Sequence, residues 1–240
     1  MQDTENFLTD IVIKIIFSEI DLTAFQENIP HFIKEIQGEY PTNIPLVNQK
    51  VQIKSTKKSN EISGKFYPSI LFRKNDEKQL TLRTNEILLE YNGKYYDSFD
   101  NKLSDDLTLI NNALQIYEIP SILHISMRYI NQIPRIDNIL AKEYTHFFNE
   151  KNSVRTMIRT EYAEGDHHII FNYGEYNSNY PSTNIKHNFI LDYETYTDTP
   201  QNFNQLLNTL SEIHQINKKY FCKTTCRSFQ KEVGVNDGSK

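Results

Sequence analysis

The chain has 240 residues and a formal net charge of −5, with 38% apolar residues and only seven glycines. This length and apolar content suit a protein with a substantial core, and they exclude an intrinsically disordered chain. The acidic balance makes nucleic acid an unexpected partner, because nucleic-acid-binding domains usually carry a basic surface. The two cysteines, Cys222 and Cys226, lie four residues apart and predict no disulfide framework.

The N-terminal segment, MQDTENFLTD, is polar and acidic and lacks the basic and apolar regions of a secretory signal. The longest apolar run, from Ile11 to Phe17, is interrupted by Lys14 and is much shorter than the roughly 20 residues of a membrane span. We therefore expect a cytoplasmic protein with no membrane segment.

The first half of the chain predicts strands, each bounded by turn-forming residues, and two helices. One helix follows Asp21, with Pro30 either kinking it or starting a new turn. The second is predicted over Asp100 to Tyr117, because apolar residues recur there at helical spacing. The predicted strands are Asp10 to Ile20, Leu46 to Ser55, Tyr67 to Arg73, Gln79 to Arg83, Ile87 to Tyr91 and Ile122 to Ile133.

The second half repeats this order in a shorter form. A helix capped by Asp137 is predicted over NILAKEYTHFF, and a long final helix is predicted from about Pro200. Between them we predict strands at Val154 to Tyr162, His167 to Gly174 and Ile185 to Tyr196. The pattern predicts an α+β protein of two similar lobes, each an antiparallel sheet covered by a long helix. The expected boundaries are an N-terminal lobe over 1–136, a C-terminal lobe over 137–233 and a disordered tail over 234–240.

The segment MRYINQIPR, residues 127–135, places polar residues inside a predicted strand. Strand alternation puts Leu123, Ile125, Met127 and Tyr129 on one face, and His124, Ser126, Arg128 and Ile130 on the other. Arg128 then reaches solvent, pairs with a carboxylate between the lobes, or binds an anionic ligand. We favour the pairing, because a buried guanidinium without a partner costs several kcal/mol.

The strand RYINQI after a central helix, the segment DNILAKEYTHFF behind it, and a final helix with Glu212-Ile213-His214, Phe221 and Thr225 carry a family resemblance. In this order the elements resemble a sporadically distributed prokaryotic family of similar length. That family is marked by an Arg-Tyr-Ile-Asn-x-Ile strand, and no activity is established for it. The resemblance covers nearly the whole chain. Sporadic occurrence is typical of accessory genes, so the resemblance implies a role in defence or in a system of the toxin–antitoxin type.

The sequence Asp166-His167-His168 is similar to a motif of metal-dependent phosphoesterases. It follows Glu164-Gly165, so a hairpin turn with Gly165 at positive φ explains the same residues without a metal. Adjacent strand residues also point to opposite faces, which places the two imidazoles apart. A hairpin is therefore preferred to a metal site, and a metal-dependent phosphodiesterase or nuclease that also uses His187 is the alternative.

The C-terminal segment offers two further patterns. His214, Cys222 and Cys226 suggest zinc, but the histidine would lie two helical turns from Cys222, so buried helical cysteines are preferred. The second pattern is a basic stripe with a cation at every fourth position, formed by Lys219, Lys223, Arg227 and Lys231. A solvated helix face is the preferred explanation of this stripe, and an acidic protein partner or a nucleic-acid backbone is the functional alternative.

These patterns favour a non-enzymatic binding or regulatory protein over an enzyme, with no catalytic residues assigned. The candidate binding residues are His124, Arg128, Asn131, Arg159 and the basic stripe. A protein partner is expected, and a homodimer is an alternative assembly. A third hypothesis is a sensor whose interlobe cleft binds an anionic small molecule, such as a nucleotide, through Arg128 and Arg159. No glycine-rich phosphate loop or nucleophile elbow is present in the sequence, and no cofactor is expected.

Overall fold

The computed structural model describes residues 6–55, 60–96, 98–134, 137–145, 155–181 and 186–234, with the backbone alone for 47–55, 60–67 and 101. Four α-helices are described, namely α1 Leu22–Ile36, α2 Ser104–Leu114, α3 Leu206–Thr224 and α4 Arg227–Glu232. The described strands are β1 Leu8–Phe17, β2 Thr42–Ser55, β3 Asn60–Lys74, β4 Lys78–Arg83, β5 Glu86–Asn92, β6 Ile122–Ile133, β7 Arg155–Glu164, β8 His167–Asn177 and β9 His187–Thr197.

All nine strands belong to one antiparallel sheet in the order β2-β3-β4-β5-β1-β6-β9-β8-β7. The α+β class and the antiparallel pairing are as predicted from the sequence. The two separate sheets of the predicted lobes are instead joined, because β6 hydrogen-bonds to β9 along residues 125–133. The two halves of the chain therefore share a continuous backbone ladder.

The helices cover one face of this sheet, which we call the helical face. In β1 the alternate residues Ile11, Ile13, Ile15 and Phe17 are buried there, while the residues between them are half-buried on the open face. This alternation is the two-residue period of a strand with one face in the core. The residues of β5 and β6 that lie directly opposite these β1 residues have their side chains on the same face, toward the core.

Strand β6 has the predicted bounds, and its residues Ile125, Met127 and Tyr129 face the helices. Leu123 does not follow the alternation and is 43% exposed. The pairing with β1 shifts between Ile16 and Phe17, so Phe17 pairs with Ile122, and Ile122 takes the buried place instead. A local bulge thus moves one predicted core residue to the surface.

Helices α1 and α2 pack against each other over the first half of the sheet. Asp21 caps α1 by accepting hydrogen bonds from the backbone N–H groups of Thr23 and Ala24, and the helix continues through Pro30. The predicted second helix forms as a π-helical turn over Phe99–Leu103, then α2, then a 3-10 turn over Gln115–Tyr117. The apolar stripe predicted for it is buried, with Leu103, Leu107, Ile110, Leu114 and Tyr117 inside the core.

The helix predicted over Asn138 to Phe148 is wrong for its described part. Asn138 has a left-handed φ of +56°, Leu140 forms a β-bridge with Thr225, and only Lys142–Tyr144 forms a 3-10 turn. A residue with left-handed φ, followed two positions later by a residue in a β-bridge, is incompatible with an α-helix. The rest of the predicted helix, 146–148, and the tail residues 235–240 lie outside the described residues.

The final helix starts later than predicted and is broken near its end. Thr225 adopts extended backbone angles after α3, and α4 begins two residues later. The amide of Gln230 donates hydrogen bonds to the carbonyl oxygens of Cys222 and Thr225, at 2.7 and 2.8 Å, and so satisfies backbone acceptors at the break. The interruption separates the last helical segment from the rest of the predicted helix.

The core divides into two clusters. The first cluster lies under α1, α2 and the start of α3, and it includes Leu210 and Ile213. The second lies between β8, β9 and the end of α3 with α4, and it includes Tyr220 and Phe229. Helix α3 therefore spans the junction between the clusters and packs on β6 and β9 at that point. Within the described parts of the chain, no helix combines the length and the apolar character that a membrane crossing requires.

Candidate functional site

A cavity of about 510 Å³ lies where the two core clusters meet, and we call it the junction cavity. Its floor is the helical face of β6 and β9, and α3 and the π-helical turn form its walls. The lining residues are Asn6, Phe7, Leu8, Tyr96, Ser98, Phe99, Asp100, Tyr129, Asn131, Tyr193, His214, Asn217, Lys218, Phe221 and Val233. Two of them, Tyr129 and Asn131, belong to the RYINQI segment.

His214 is held in the cavity wall by two contacts. Its ring stacks on Phe99 with centroids 4.2 Å apart and planes inclined by 6°. Its Nδ1 shares a hydrogen bond of 2.8 Å with the hydroxyl of Tyr129, which is also 3.2 Å from the sulfur of Met127. These contacts fix the orientation of the imidazole against strand β6.

Burial controls the charge of both hydrogen-bonded groups. It lowers the pKa of His214 to about 4, while nearby Asp100 raises this pKa and Lys218 lowers it, each by less. Burial also raises the pKa of the Tyr129 hydroxyl well above its ordinary value, and the neighbouring Tyr96 raises it further. At neutral pH the cavity therefore presents an uncharged imidazole and an uncharged phenol.

Asn217 anchors α3 to the floor of the cavity. Its amide nitrogen donates to the carbonyl oxygen of Met127 at 3.0 Å, and its amide oxygen accepts from the hydroxyl of Thr195 at 2.8 Å. Asn217 is 3% exposed and Thr195 is fully buried, so neither group has water as an alternative partner. One side chain thus joins α3 to both β6 and β9.

Arg128 lies on the open face of the sheet and does not line the junction cavity. Its guanidinium forms two parallel hydrogen bonds with Asp192 of β9, Nε to Oδ1 at 2.7 Å and Nη2 to Oδ2 at 2.8 Å. Asn172 adds a third hydrogen bond to Asp192, at 3.0 Å. The predicted pairing with a carboxylate across the two halves is confirmed, and the anion-binding interpretation of Arg128 is not supported by this position.

The remaining strand candidates are separated from one another. Asn131 lines the junction cavity and donates to the carbonyl oxygen of Leu191 at 3.3 Å. His124 lies on the open face, where its Nδ1 is 2.6 Å from Asp198. Arg159 is exposed on β7 and pairs with Glu161 of the same strand at 2.7 Å. Arg128 and Arg159 lie on the same face of the sheet and pair with different carboxylates, and the anion-sensor hypothesis stays a prediction.

The basic stripe is divided by the break at Thr225. Lys219 and Lys223 belong to α3, whereas Arg227 and Lys231 belong to α4. Lys219 binds both carboxylate oxygens of Glu164, at 2.7 and 2.8 Å, and Lys223 lies over the ring of Tyr162 at 5.1 Å. The predicted stripe on one continuous helix is therefore wrong, and two of its cations already contact residues of β7.

The metal alternative finds little geometric support. Gly165 has φ of +59° in a two-residue turn between Glu164 and His167, which confirms the predicted hairpin. His168 stacks on Tyr196 with centroids 5.0 Å apart, and His187 pairs with Asn177 at the other end of β8, roughly 30 Å along the strand. No three His, Cys, Asp or Glu side chains of the described residues are placed to share a metal ion.

The predicted pair of buried helical cysteines does not form, and both cysteines are half-buried. Cys222 belongs to α3, but Cys226 follows the break and its Sγ lies 2.8 Å from the carbonyl oxygen of Asn138. Both cysteines are free thiols. The zinc interpretation of this segment therefore loses its geometric basis.

A second cavity, of about 540 Å³, contains charged residues that the sequence reasoning missed. Asp106, 4% exposed, accepts hydrogen bonds from the hydroxyls of Tyr40 and Tyr91 and lies 3.0 Å from the ammonium of Lys78. Lys78 also contacts Glu39 at 3.1 Å. Burial raises the pKa of both tyrosines well above the ordinary value. The sequence feature that could have indicated this charged cluster is Asp106, an acidic residue on the apolar face of a predicted helix.

No protein-family model matches this chain, and no curated protein sequence matches it either. The resemblance to the Arg-Tyr-Ile-Asn-x-Ile family stays a prediction from the motif and the element order. The geometry of the junction cavity is therefore the basis for a proposed function.

Proposed function

We propose that this chain is a non-enzymatic binding protein whose junction cavity receives an uncharged aromatic or heteroaromatic ring of a small molecule. The observation that carries the proposal is the neutral His214 and Tyr129 pair, held rigidly in a cavity between the two core clusters. The cavity volume of about 510 Å³ falls within the roughly 300–1,000 Å³ of small-molecule sites. The pair offers hydrogen bonds in fixed directions without a net charge.

The lining of the cavity favours an aromatic guest. The aromatic residues that line the space include Phe99, Tyr96, Tyr193 and Phe221. Aromatic rings pair favourably in offset or edge-to-face arrangements. The amide of Asn131 lies among them as a polar contact, so a ring with nitrogen or oxygen substituents fits better than a hydrocarbon.

Charge at the cavity argues against an anionic guest. Lys218 and Asp100 are exposed residues at the lining and carry opposite charges. The two arginines expected to hold an anion lie outside the cavity and are paired with acids. A neutral ring is therefore preferred to a ligand recognised through its phosphate.

The geometry also favours binding over acid–base catalysis. His214 hydrogen-bonds to a phenol that burial keeps protonated, and not to a carboxylate that would raise its basicity. A binding role is consistent with a regulatory component of a prokaryotic defence system or a system of the toxin–antitoxin type. That role stays a prediction from the family resemblance.

The test is a thermal-shift screen with nucleobases, indoles and aromatic amines. A true ligand at 100 times its dissociation constant adds roughly 2.7 kcal/mol to the free energy of unfolding. Tyr129→Phe removes only the hydroxyl and is expected to weaken binding roughly fivefold, the typical effect of one hydrogen bond. Ser98→Phe places a ring in the cavity and is expected to abolish binding.

His124→Gln is the matched control, because His124 lies on the open face and does not line the cavity. It should leave the ligand affinity unchanged. A ligand that stabilises the Ser98→Phe protein as much as the wild type binds elsewhere and contradicts the proposal. Failure of every compound to stabilise the wild type would contradict it as well.

A further inference from the structure

Strand β7 forms one edge of the described sheet, and no residue interrupts its backbone ladder. It pairs with β8 continuously from Arg155 to Glu164, and with no other described strand. Its sequence, RTMIRTEYAE, carries charged side chains but contains no proline, glycine or lysine. The opposite edge strand, β2, carries Pro45, whose nitrogen has no hydrogen to donate. A continuous edge strand is a template for the addition of another strand whose charges are complementary.

The residues of β7 are complementary to a second copy of the same strand. In an antiparallel pair with its two-fold axis at Thr160, Arg159 of each copy is directly opposite Glu161 of the other. Moving the axis by one residue would place Arg159 opposite Arg159, or Glu161 opposite Glu161. Like charges directly opposite are destabilising, so the charges select the axis at Thr160.

With the axis at Thr160, helical-side residues of one copy lie opposite helical-side residues of the other, and open-side residues lie opposite open-side residues. Thr156, Ile158 and Tyr162 lie on the helical side, as shown by Tyr162 packing against Tyr220 of α3. Ile158 would be opposite Tyr162 there, and Met157 opposite Ala163 on the open side. Pairs of β-branched and aromatic residues across strands are favourable. The helices of both copies would lie on one side of the joined sheet.

The isolated chain leaves the side chains on the open side of β7 exposed. The side chains of Arg159 and Glu161 are 55% and 61% exposed although they pair with each other, and Met157 is one of few large apolar residues that are 37% exposed or more. Pairing nine residues of two antiparallel strands forms about eight backbone hydrogen bonds. It also extends each Arg159–Glu161 pair into a cluster of four alternating charges.

We propose that two copies of this chain associate through their β7 strands, antiparallel about Thr160, so that two nine-stranded sheets become one. The occupant of the edge is therefore a second copy of this chain. This assembly is independent of the junction cavity, which lies on β6 and β9 and not on the edge strand.

The test uses charge reversal at the two positions that face each other. Arg159→Glu gives a strand with only acidic residues at these positions, and Glu161→Arg gives one with only basic residues. Each variant alone is expected to weaken the dimer roughly tenfold or more, because two attractive pairs become repulsive. An equimolar mixture of the two variants should form a heterodimer, and the double variant Arg159→Glu with Glu161→Arg should restore the homodimer. Analytical ultracentrifugation over a wide concentration range measures the dissociation constant of the dimer for the two single variants, their mixture and the double variant.

Lys34→Glu is the matched control, because it makes the same change of charge on the exposed surface of α1. It should leave the dissociation constant of the dimer unchanged. Circular dichroism checks that each variant is folded, and surface substitutions of this kind rarely unfold a protein. A wild-type chain that stays monomeric at every concentration overturns the proposal. So does a dimer that none of the β7 charge variants weakens.

Discussion

At the scale of single residues, the surroundings of a titratable group set its pKa. Arg128 is 41% exposed, and Asp192 receives its guanidinium through two parallel hydrogen bonds, which raise the pKa of the guanidinium above its ordinary value. His214 is half-buried beside a phenol and a phenyl ring, and at neutral pH it is uncharged. This loss of charge follows from the cost of removing an ion from water.

Loss of stability on acidification is expected from His214. An unfolded chain has a histidine pKa near 6.5, whereas the folded chain has about 4, so between these values the unfolded state binds more protons. The free energy of unfolding therefore falls as the pH falls from 6.5 to 4, by up to about 3 kcal/mol from this group alone. Urea unfolding at several pH values, compared with His214→Gln, measures the contribution.

The variant removes the titrating group but keeps a polar side chain at the position. The difference in stability between wild type and variant should therefore shrink as the pH falls through this window. A constant difference, or an NMR titration of His214 with its midpoint near 6.5, would show that the imidazole is not buried as described.

The ion pair of Arg128 could be predicted from the sequence, but the pair of His214 and Tyr129 could not. Pairing with an acid across the two halves was the favoured of three alternatives for Arg128, because a buried guanidinium without a partner is costly. Tyr129 and His214 are 85 residues apart and meet only because α3 crosses β6 at one position. The alternation of β6 fixes the face of Tyr129 and says nothing about which helix residue covers it.

At the scale of elements, local patterns predicted features that depend on neighbouring residues and missed those that depend on distant contacts. The bounds of β6 and the hairpin at Gly165 follow from local patterns, alternation and a turn with positive φ. The failed helix at Asn138 and the break at Thr225 have one common cause, the β-bridge between Leu140 and Thr225. That bridge joins segments 85 residues apart, so no local sequence pattern predicts it.

Close approach of two elements makes Gly93 intolerant of a side chain. A Cβ atom there would lie 2.1 Å from the carbonyl oxygen of Leu8 in β1, far inside any normal contact. We expect Gly93→Ala to lower the free energy of unfolding by about 1–3 kcal/mol, because the 3-10 turn and β1 must separate. Chemical denaturation of the purified variant gives this value.

Gly38 provides the comparison, because a Cβ atom there meets nothing within 4 Å. Gly38→Ala should leave stability unchanged or raise it by up to about 1 kcal/mol, through reduced freedom of the unfolded chain. Equal effects of the two substitutions would contradict the close contact between Gly93 and Leu8.

At the scale of the whole molecule, one sheet and one helix connect two core clusters. The class and the antiparallel pairing could be predicted, but the joining of the two predicted sheets could not. It depends on the pairing of β6 with β9, whose residues Met127 and Thr195 are far apart in the chain. The domain boundaries at 136 and 233 stay a prediction, although Leu210 and Ile213 from the second half pack in the first cluster.

Unfolding as a single unit is the expected consequence of this shared architecture. Leu89 lies in the first cluster and Leu191 in the second, and both are fully buried. Leu89→Ala and Leu191→Ala should each cost about 2–5 kcal/mol and shift the same single transition. Far-ultraviolet circular dichroism and tyrosine fluorescence, recorded in parallel during urea unfolding, test for one transition. Two transitions, each shifted by only one substitution, would instead indicate two independent domains.

The position of β1 in the sheet has a consequence for biosynthesis. This strand is translated before the other strands of the sheet, yet its neighbours, β5 and β6, begin only at Glu86 and Ile122. Its buried face of Ile11, Ile13 and Ile15 therefore has no native partner while the next segments are being translated. Pairing between segments so distant in the chain is slow, and exposed apolar strands attract one another. We expect the nascent chain to need chaperone protection until β6 has been made.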